Sequence, residues 1–493
     1  MTLLTWCTFA DKNLLAKNLI RCLTSFLPVF LLTFLSTNSY GANSAVILLH
    51  ELETKANPLV DPKKQHAYPN IIRLPHVEFP LSWVQKDISS SIDSRILESI
   101  VFRDANGTEM IRWVLAPTAD DLMSAGMKNR ARAEFIDKYN KEIIDFVTQR
   151  GGDPTLHYYY TGYPSASTTF EVEDPNSHIV FYVKTSTGLP PVGSFSNPSK
   201  PRLAWEARDA RTISEYLIGL QKEIGFEHFG FLEEPAGFTI GELDRALIIR
   251  DAADMKNLTS EFYYVPGFAI TDEAVGKMIA EKNGFSNPEE FWSLHAPKIL
   301  ARAFSELFLK TGLRLDSPHG QNFLFELDKN MKLTGRLIFR DLADMVIHPY
   351  YFMLYARKYK LEHIEKLKIV SDEMFTVVRI LETTSYTPMA NSLINHAWLP
   401  KQEILIGKWQ KSYVLESEKY FQELTDLTVE QLDSSTERKY PGSKYRVMQN
   451  SMVAYSFNMN TEDPLWQEFL SRIQNRSRLR AEKRCESLFS SHP

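Results

Sequence analysis

The chain has 493 residues, of which 44% are hydrophobic and 24% charged, and its formal net charge is -5. This composition is that of a globular protein and excludes disorder on a large scale. A mildly acidic chain without a long basic stripe is also a poor partner for nucleic acid. The length predicts two or three structural units rather than one simple core.

The N-terminal residues 1–42 have the order of a secretory signal peptide. Three basic residues precede the apolar run Leu23–Ser36, and a stretch of small polar residues follows it. We expect cleavage near Gly41–Ser44 and export to the periplasm or the medium. The run is short for a membrane span and contains Pro28, so no membrane association is expected beyond an N-terminal anchor. If the start codon is misassigned, the protein is cytoplasmic.

Two units are predicted before the C-terminal part of the chain. Residues 43–177 form an N-terminal α+β region, in which apolar residues at helical spacing predict a helix ending at Gly151–Gly152. Residues 178–285 form a middle lobe that contains a sheet. Its predicted elements are a strand over 178–185, a Pro/Gly/Ser-rich loop, a helix ending at Gly225, and strands at 229–234 and 245–251.

The C-terminal lobe, residues 286–493, is predicted to be rich in helices. A helix begins at Pro288, ends at Gly312, and is expected to be kinked or split at Pro297. A β-hairpin follows, with strands at 322–327 and 336–341. Further helices are predicted over 349–424, with breaks near two prolines at positions 388 and 400.

The hairpin carries the residues that best suggest chemistry. Antiparallel strands return to their starting level, so Asn322 at the entry and Asp341 at the exit lie at one end. Amide and carboxylate oxygens of this kind suit Mg²⁺. His319, two positions before Gln321, is placed to face a phosphate or carboxylate. Arg340 should point to the opposite strand face from Asp341 and be structural. The simpler interpretation is an ordinary hairpin with a polar turn.

Two segments resemble the NRPS-independent siderophore synthetases of the aerobactin-synthase type, and their order and spacing agree with those of that family. The first is HGQN, an apolar strand, a turn with Gly and a second strand ending in RDLAD. The second contains FGFLEEPAGF, LDRALIIRD and YYVPGFAI. The resemblance covers about residues 180–345. It implies an α+β, multi-lobed fold with a kinase-like, helix-rich C-terminal lobe, and a nucleotide cleft between the last two lobes.

The resemblance implies an ATP- and Mg²⁺-dependent ligase of siderophore biosynthesis and iron acquisition. Such an enzyme adenylates a carboxylic acid, and an amine or hydroxyl then captures the acyl-adenylate. His319 and Gln321 would be catalytic, and Asn322 and Asp341 would hold Mg²⁺. Phosphate needs hydrogen-bond donors and positive charge, which the strand end and loop supply. These cofactor-binding candidates are Lys184, Ser186, Thr187, Ser194, Lys200 and Arg202.

Two departures from the family pattern keep other functions open. Ser317 stands where the family has a Glu, and the loop lacks the family's Arg-Thr element. One alternative is an exported, non-catalytic protein that binds a polycarboxylate, a siderophore-like ligand or a partner. Another is a kinase-like phosphoryl or nucleotidyl transferase using the same metal pair. The sequence leaves open whether the chain forms a homodimer.

Overall fold

The computed structural model describes Leu49 and residues 72–118, 120–121, 130–165, 169–185, 202–251, 262–271, 273–315, 318, 320–347, 349–364 and 402–426. The strands are β1 Ile72–Pro80, β2 Gln85–Ile88, β3 Val101–Arg103, β4 Glu109–Val114, β5 His157–Ser165, β6 Thr169–Glu173, β7 Val180–Lys184, β8 Phe229–Phe231, β9 Ala236–Ile240, β10 Arg245–Arg250, β11 Phe262–Pro266, β12 Leu313–Leu315, β13 Phe323–Asp328, β14 Leu333–Phe339 and β15 Met345–Ile347. The helices are α1 Ser94–Ile100, α2 Arg130–Gln149, α3 Ala204–Ile224, α4 Glu273–Lys282, α5 Pro288–Thr311, α6 Pro349–Tyr359 and α7 Gln402–Thr425.

The described strands form three sheets. The largest has nine strands in the order β2-β9-β10-β7-β6-β5-β1-β4-β3, and all its pairs are antiparallel. A four-stranded sheet has the order β11-β13-β14-β8, with β14 and β8 parallel, and β12 pairs with β15. The large sheet takes strands from the predicted N-terminal region and middle lobe. The four-stranded sheet takes strands from the middle and C-terminal lobes.

The predicted helices and hairpin are largely confirmed. Helix α5 starts where Asn287 Oδ1 accepts hydrogen bonds from the first-turn backbone, and it ends at Gly312 in the left-handed conformation. It runs through Pro297 as one helix, so of the two outcomes expected at Pro297, a kink or a split, the split is wrong. Most of its residues are buried, and packing on several sides compensates for the hydrogen bond that proline removes. Helix α3 ends at Gly225 as predicted. The two hairpin strands pair antiparallel.

The two main sheets meet along one row of β7. Val180 and Tyr182 are buried there against Tyr264 of β11, Leu324 of β13 and Ile338 of β14. Side chains two residues apart share a strand face, so Lys184 continues this row toward the four-stranded sheet. Helix α3 covers the adjoining strands through a small-residue contact that includes Ala207, Ala210, Ala246, Ile248 and Ala343. The junction of the two sheets is therefore built around the end of β7.

The outer part of the large sheet carries a buried histidine with a consequence for stability. His76 of β1 is 1% exposed, and its Nδ1 has no hydrogen-bond partner among the described residues. Burial lowers the pKa of His76 to about 4, although hydrogen bonding and charge from Glu78 act in the opposite direction, while His157 and Arg112 lower the pKa further. The folded protein therefore holds His76 neutral over a range in which an unfolded histidine takes up a proton.

We expect folding stability to fall as the pH drops from about 6.5 to about 4 because only the unfolded state gains the His76 proton there. The full contribution is about 3 kcal/mol at 1.36 kcal/mol per pKa unit. Chemical denaturation of His76→Gln across this range should show a smaller decline. The exposed His178 provides a control for the same chemical change at the surface, and His178→Gln should not reproduce the effect of His76→Gln. Equal slopes in wild type and His76→Gln would contradict the assignment.

Among the described residues, no helix is both long enough and apolar enough to cross a membrane. The predicted signal segment, residues 1–42, lies outside the described part of the chain, as do the predicted helix breaks near positions 388 and 400.

Candidate functional site

Lys184 lies at the centre of a buried group of charges where the two sheets meet. Its side chain is 0% exposed, and Nζ donates to Asp341 Oδ1 at 2.5 Å and to Glu234 Oε1 at 3.0 Å. A buried lysine is expensive unless it is paired, and here two carboxylates pair with it. Asp341 is 157 positions away in the sequence, so the ion pair joins β7 to the end of the hairpin.

Arg250, the last residue of β10, supplies a second buried cation. Its Nη2 and Nε donate to Glu234 Oε1 at 2.7 and 3.1 Å, and the residue is 1% exposed. The strand register pairs Ile248 with Lys184 and Arg250 with Tyr182. Lys184 and Arg250 therefore lie diagonally on one face of neighbouring strands. One carboxylate oxygen of Glu234 thus accepts hydrogen bonds from both cations.

Glu234 lies in the loop between β8 and β9 and is fully buried. Burial alone would raise the pKa of Glu234, but the positive charges of Lys184 and Arg250 outweigh it and hold the pKa below its ordinary value. Glu234 is therefore an ionised counter-ion for both cations. The predicted strand over 229–234 ends at Phe231 instead, and the backbone N–H of Glu234 donates to Ser214 Oγ rather than to a neighbouring strand.

Asp341 follows β14 in the left-handed conformation, with φ 70° and ψ 60°. This conformation is uncommon for a residue with a side chain, although Asp and Asn tolerate it best. Burial would raise the pKa of Asp341, but Lys184, Arg202 and Arg250 together hold it well below its usual range. The Asp341 side chain is 17% exposed, so a charged carboxylate reaches the edge of the buried group.

The remaining predicted cofactor-binding residues divide between described and undescribed parts of the chain. Arg202, just before α3, donates from Nη1 to Glu206 Oε1 at 2.9 Å and lies close enough for its charge to act on Asp341. Lys184 and Arg202 are thus brought to the same site. The other four loop candidates, Ser186, Thr187, Ser194 and Lys200, lie outside the described residues.

The HGQN segment meets the end of the hairpin beside Asp341. Arg340 donates through its backbone N–H to Asn322 O at 3.0 Å and through Nε to Gln321 O at 2.5 Å. Arg340 is 1% exposed and braces this segment, which agrees with the structural role expected from the sequence. Asn322 is buried and lies directly across from Arg340, and Arg340 is the residue that precedes Asp341 in the chain. His319 lies outside the described residues.

The side-chain oxygens at this site fit a metal ion that arrives with other ligands already bound to it. Among the described residues there is no group of three or more His, Cys, Asp and Glu side chains that could hold a metal by themselves. Asp341 and Asn322 offer oxygens, which Mg²⁺ accepts while it keeps water and phosphate oxygens. Asp341 is also paired with Lys184, which a metal ion would have to displace. The arrangement therefore suits Mg²⁺ carried by a polyphosphate better than a resident metal.

Glu234 and Arg250 are the functional candidates that residue patterns alone did not single out. Both lie in segments that resemble the siderophore synthetases, one in FLEEPAGF and the other in LIIRD. Their residue types alone did not indicate a functional site, since Glu-Pro and Arg-Asp are common at turns and strand ends. Only the pairing of strands shows that they share one site with Lys184.

Comparisons with known proteins find similarity in structure rather than in sequence. No protein-family profile matches the chain, and no curated protein is detectably similar in sequence. The structure of aerobactin synthetase IucC from a hypervirulent pathotype of Klebsiella pneumoniae superposes with a TM-score of 0.50 at 12% identity, covering 80% of this chain and 75% of that one.

Two other solved structures are similar at lower scores. One is ATP-bound aerobactin synthetase IucA from the same source, with a TM-score of 0.47, 11% identity and 75% of this chain covered. The other is petrobactin biosynthesis protein AsbB from Bacillus anthracis, with a TM-score of 0.45, 15% identity and 82% of this chain covered. The chain spans 66% of the IucA structure and 69% of AsbB. The resemblance predicted from the sequence is confirmed at the level of the fold, and the chain has the fold of the NRPS-independent siderophore synthetases.

Proposed function

We propose that this protein is an ATP- and Mg²⁺-dependent ligase of the siderophore-biosynthesis type that joins a carboxylic acid to an amine or hydroxyl. The observation that carries the proposal is the buried set of Lys184, Arg250, Glu234 and Asp341 at the junction of the two sheets. Fixed cations beside an ionised carboxylate are what binding a magnesium polyphosphate requires. The synthetase fold supports the choice of a ligase.

In this proposal the cations bind the phosphates of ATP. Lys184 and Arg250 would donate to phosphate oxygens, and Arg202 lies beside them to add positive charge. Asp341 and Asn322 would hold Mg²⁺, which neutralises charge on the triphosphate when bound. His319 would contact the acid and phosphate, with Gln321 in the same pocket. Because the fold sets the positions of Lys184 and Arg250, these two cations would stabilise a transition state with little movement of their own.

The reaction would take place in two steps. A carboxylate oxygen of the acid attacks the α-phosphorus of ATP, forming an acyl-adenylate and releasing pyrophosphate. The amine or hydroxyl then attacks the acyl carbon, so that AMP leaves and a proton is lost to solvent. The amide or ester is the product, and each turnover gives one AMP and one pyrophosphate.

The experiment that tests the proposal follows both products. Purified full-length protein is incubated with ATP, Mg²⁺, citrate and other polycarboxylic acids, and hydroxylamine as the amine. We expect hydroxamate and AMP in equal amounts. Absence of AMP across a broad panel of acids, with a protein that is folded by circular dichroism, would contradict a ligase.

One observation favours a second candidate, a kinase-like transferase. A strand lysine paired with a buried glutamate, next to a metal-binding aspartate, is also the arrangement in protein kinases. The glutamate here comes from a loop rather than from a helix. The same incubation distinguishes the two reactions, since a phosphoryl transferase releases ADP and transfers label from the γ-phosphate, whereas the ligase releases AMP.

The non-catalytic alternative and the place of action can be tested together. We propose export, on the ground of the leader sequence, and an exported protein needs access to ATP for either reaction. Mass spectrometry of the mature N-terminus, combined with fractionation of the cells, should find a chain that begins near residues 41–44 outside the cytoplasm. An intact N-terminus in the cytoplasm would contradict export. A folded protein that binds citrate or a ferric siderophore but not Mg-ATP would favour the non-catalytic alternative.

A further inference from the structure

Glu234 differs from Asp341 in how firmly it is held, although both carboxylates contact Lys184. Four backbone hydrogen bonds fix the loop around Glu234. They are Leu232 N to Phe339 O at 2.8 Å, Glu234 N to Ser214 Oγ at 2.8 Å, Asp251 N to Glu233 O at 2.8 Å and Ser89 N to Pro235 O at 2.7 Å. The loop is thus tied to α3, to the end of β14, to the residue after β10 and to the residue after β2. The backbone at Glu234 is therefore held through its own N–H and through the residues on both sides of it.

Asp341, by contrast, lies at the edge of the site. Its side chain is 17% exposed, whereas that of Glu234 is 0% exposed. Glu234 Oε1 accepts from both Lys184 and Arg250, while the described contact of the Asp341 carboxylate is with Lys184. A metal ion or phosphate that enters from solvent therefore reaches the Lys184–Asp341 pair first. The Lys184–Glu234 pair lies behind it.

The hydrogen bonds of Glu234 to Lys184 and Arg250 involve only one of its two carboxylate oxygens, Oε1. Its Oε2 is buried and has no hydrogen-bond partner among the described residues. Leaving a buried acceptor unsatisfied is unfavourable, and a buried ion pair is often no more stable than apolar packing. A carboxylate kept at such a position is better explained by what it does to Lys184 and Arg250 than by stability.

Without Glu234 the two cations would repel each other and would have several rotamers open to them. Each has a long, flexible side chain, and ordering such a chain at the moment of binding weakens affinity. With Glu234 in place, both are already aligned on one oxygen before any ligand arrives. This is preorganisation of a cation pair for phosphate.

We propose that Glu234 is a positioning residue for the nucleotide. It holds Lys184 and Arg250 as a fixed pair that binds the phosphates, and it keeps Lys184 in place when Asp341 is taken over by the metal ion of the nucleotide. Asp341 is the exchangeable partner of Lys184, and Glu234 is the permanent one. The inference rests on the proposed function, since it assumes that the bound ligand is a magnesium nucleotide.

The test compares Glu234→Gln with the matched variant Glu233→Gln. The second makes the same chemical change one residue earlier, at a carboxylate that accepts from Ser91 at the exposed side of the loop. Binding of Mg-ATP is measured by isothermal titration calorimetry, and binding of adenosine by saturation-transfer NMR. Adenosine carries no phosphate, so a loss of the cation pair should not affect it.

We expect Glu234→Gln to weaken Mg-ATP binding at least tenfold and to leave adenosine binding unchanged, while Glu233→Gln binds both as wild type does. Weakening of both ligands by a similar factor would show a merely structural role and overturn the proposal. Equal or tighter Mg-ATP binding in Glu234→Gln would also overturn it, because it would mean that Glu234 only reduces the positive charge available to phosphate.

A second variant keeps the test decisive if Glu234→Gln does not fold. Ser214→Ala removes the hydroxyl that holds the Glu234 backbone and leaves the carboxylate itself in place. We expect a threefold or greater loss of Mg-ATP affinity with unchanged adenosine binding, and wild-type Mg-ATP affinity in this variant would overturn the proposal. A wild-type protein that binds no Mg-ATP would instead contradict the proposed function, which separates the two failures.

Discussion

Replacement of Lys184 by methionine should lower AMP formation at least 100-fold and weaken Mg-ATP binding by 10-fold or more, as expected when a charge-assisted hydrogen bond to phosphate is lost. Lys184 is the residue on which both carboxylates of the site converge, and its side chain is fully buried. Methionine has a similar length and no charge, so it fills much of the space while it removes the donor. Initial rates with saturating acid and calorimetric titrations with Mg-ATP measure the two effects.

The same substitution should also destabilise the fold because Glu234 and Asp341 lose a buried partner. Breaking a buried ion pair costs about 3 to 5 kcal/mol, and the remaining contact of Glu234 with Arg250 should keep the loss near the lower value. Lys310→Met is the matched control. Lys310 is also buried and paired with a buried carboxylate, Glu306, but it lies on α5 away from the site. It should lose similar stability and keep its nucleotide binding. Equal nucleotide binding in both variants would contradict a role of Lys184 in the site.

Replacement of Asp341 by asparagine should separate nucleotide binding from chemistry. We expect AMP formation to fall about 100-fold or more because the metal loses its charged ligand, a change of several kcal/mol in stabilisation of the transition state. Binding of ATP without Mg²⁺ should remain within a few fold of wild type or improve, since Lys184 is released from one of its two partners. Burial would raise the pKa of Asp341, but Lys184, Arg202 and Arg250 hold it low, so this carboxylate is ionised throughout the neutral range.

The fold should tolerate this change because asparagine readily adopts the left-handed conformation that Asp341 has. Asp344→Asn, in the same short turn, is the control and should retain activity. The comparison is made by titrating ATP with and without Mg²⁺ and by measuring rates over a range of Mg²⁺ concentrations. Unchanged activity and an unchanged Mg²⁺ requirement in Asp341→Asn would show that the metal lies elsewhere.

Local sequence signals predicted the secondary structure around the site well, and long-range pairing decided the rest. Helix α5 could be placed from Asn287, Pro288 and Gly312 because caps and stops are local features. The hairpin that presents Asp341 could be placed because two apolar segments joined by a turn with Gly are also a local signal. The uninterrupted course of α5 through Pro297 could not, because it depends on how deeply that helix is packed.

In the candidate site, too, local sequence signals identified single residues, whereas long-range pairing decided their contacts. Lys184, Arg202, Asn322 and Asp341 were selected from the sequence as phosphate or metal partners, and the structure brings Lys184, Arg202 and Asp341 together. The direct ion pair between Lys184 and Asp341, with Glu234 behind it, was not foreseen. A carboxylate and a lysine 157 positions apart give no local signal of contact, and only the meeting of the two sheets makes the pair.

The measurement that tests the central claim most directly is calorimetric titration of Mg-ATP into full-length wild-type protein and into Lys184→Met. If the buried charges at the sheet junction are a nucleotide site, wild type binds Mg-ATP with one site per chain, and Lys184→Met binds at least tenfold more weakly while remaining folded by circular dichroism. An absence of binding by wild type, or the same affinity in both proteins, would contradict the assignment of this site to a nucleotide.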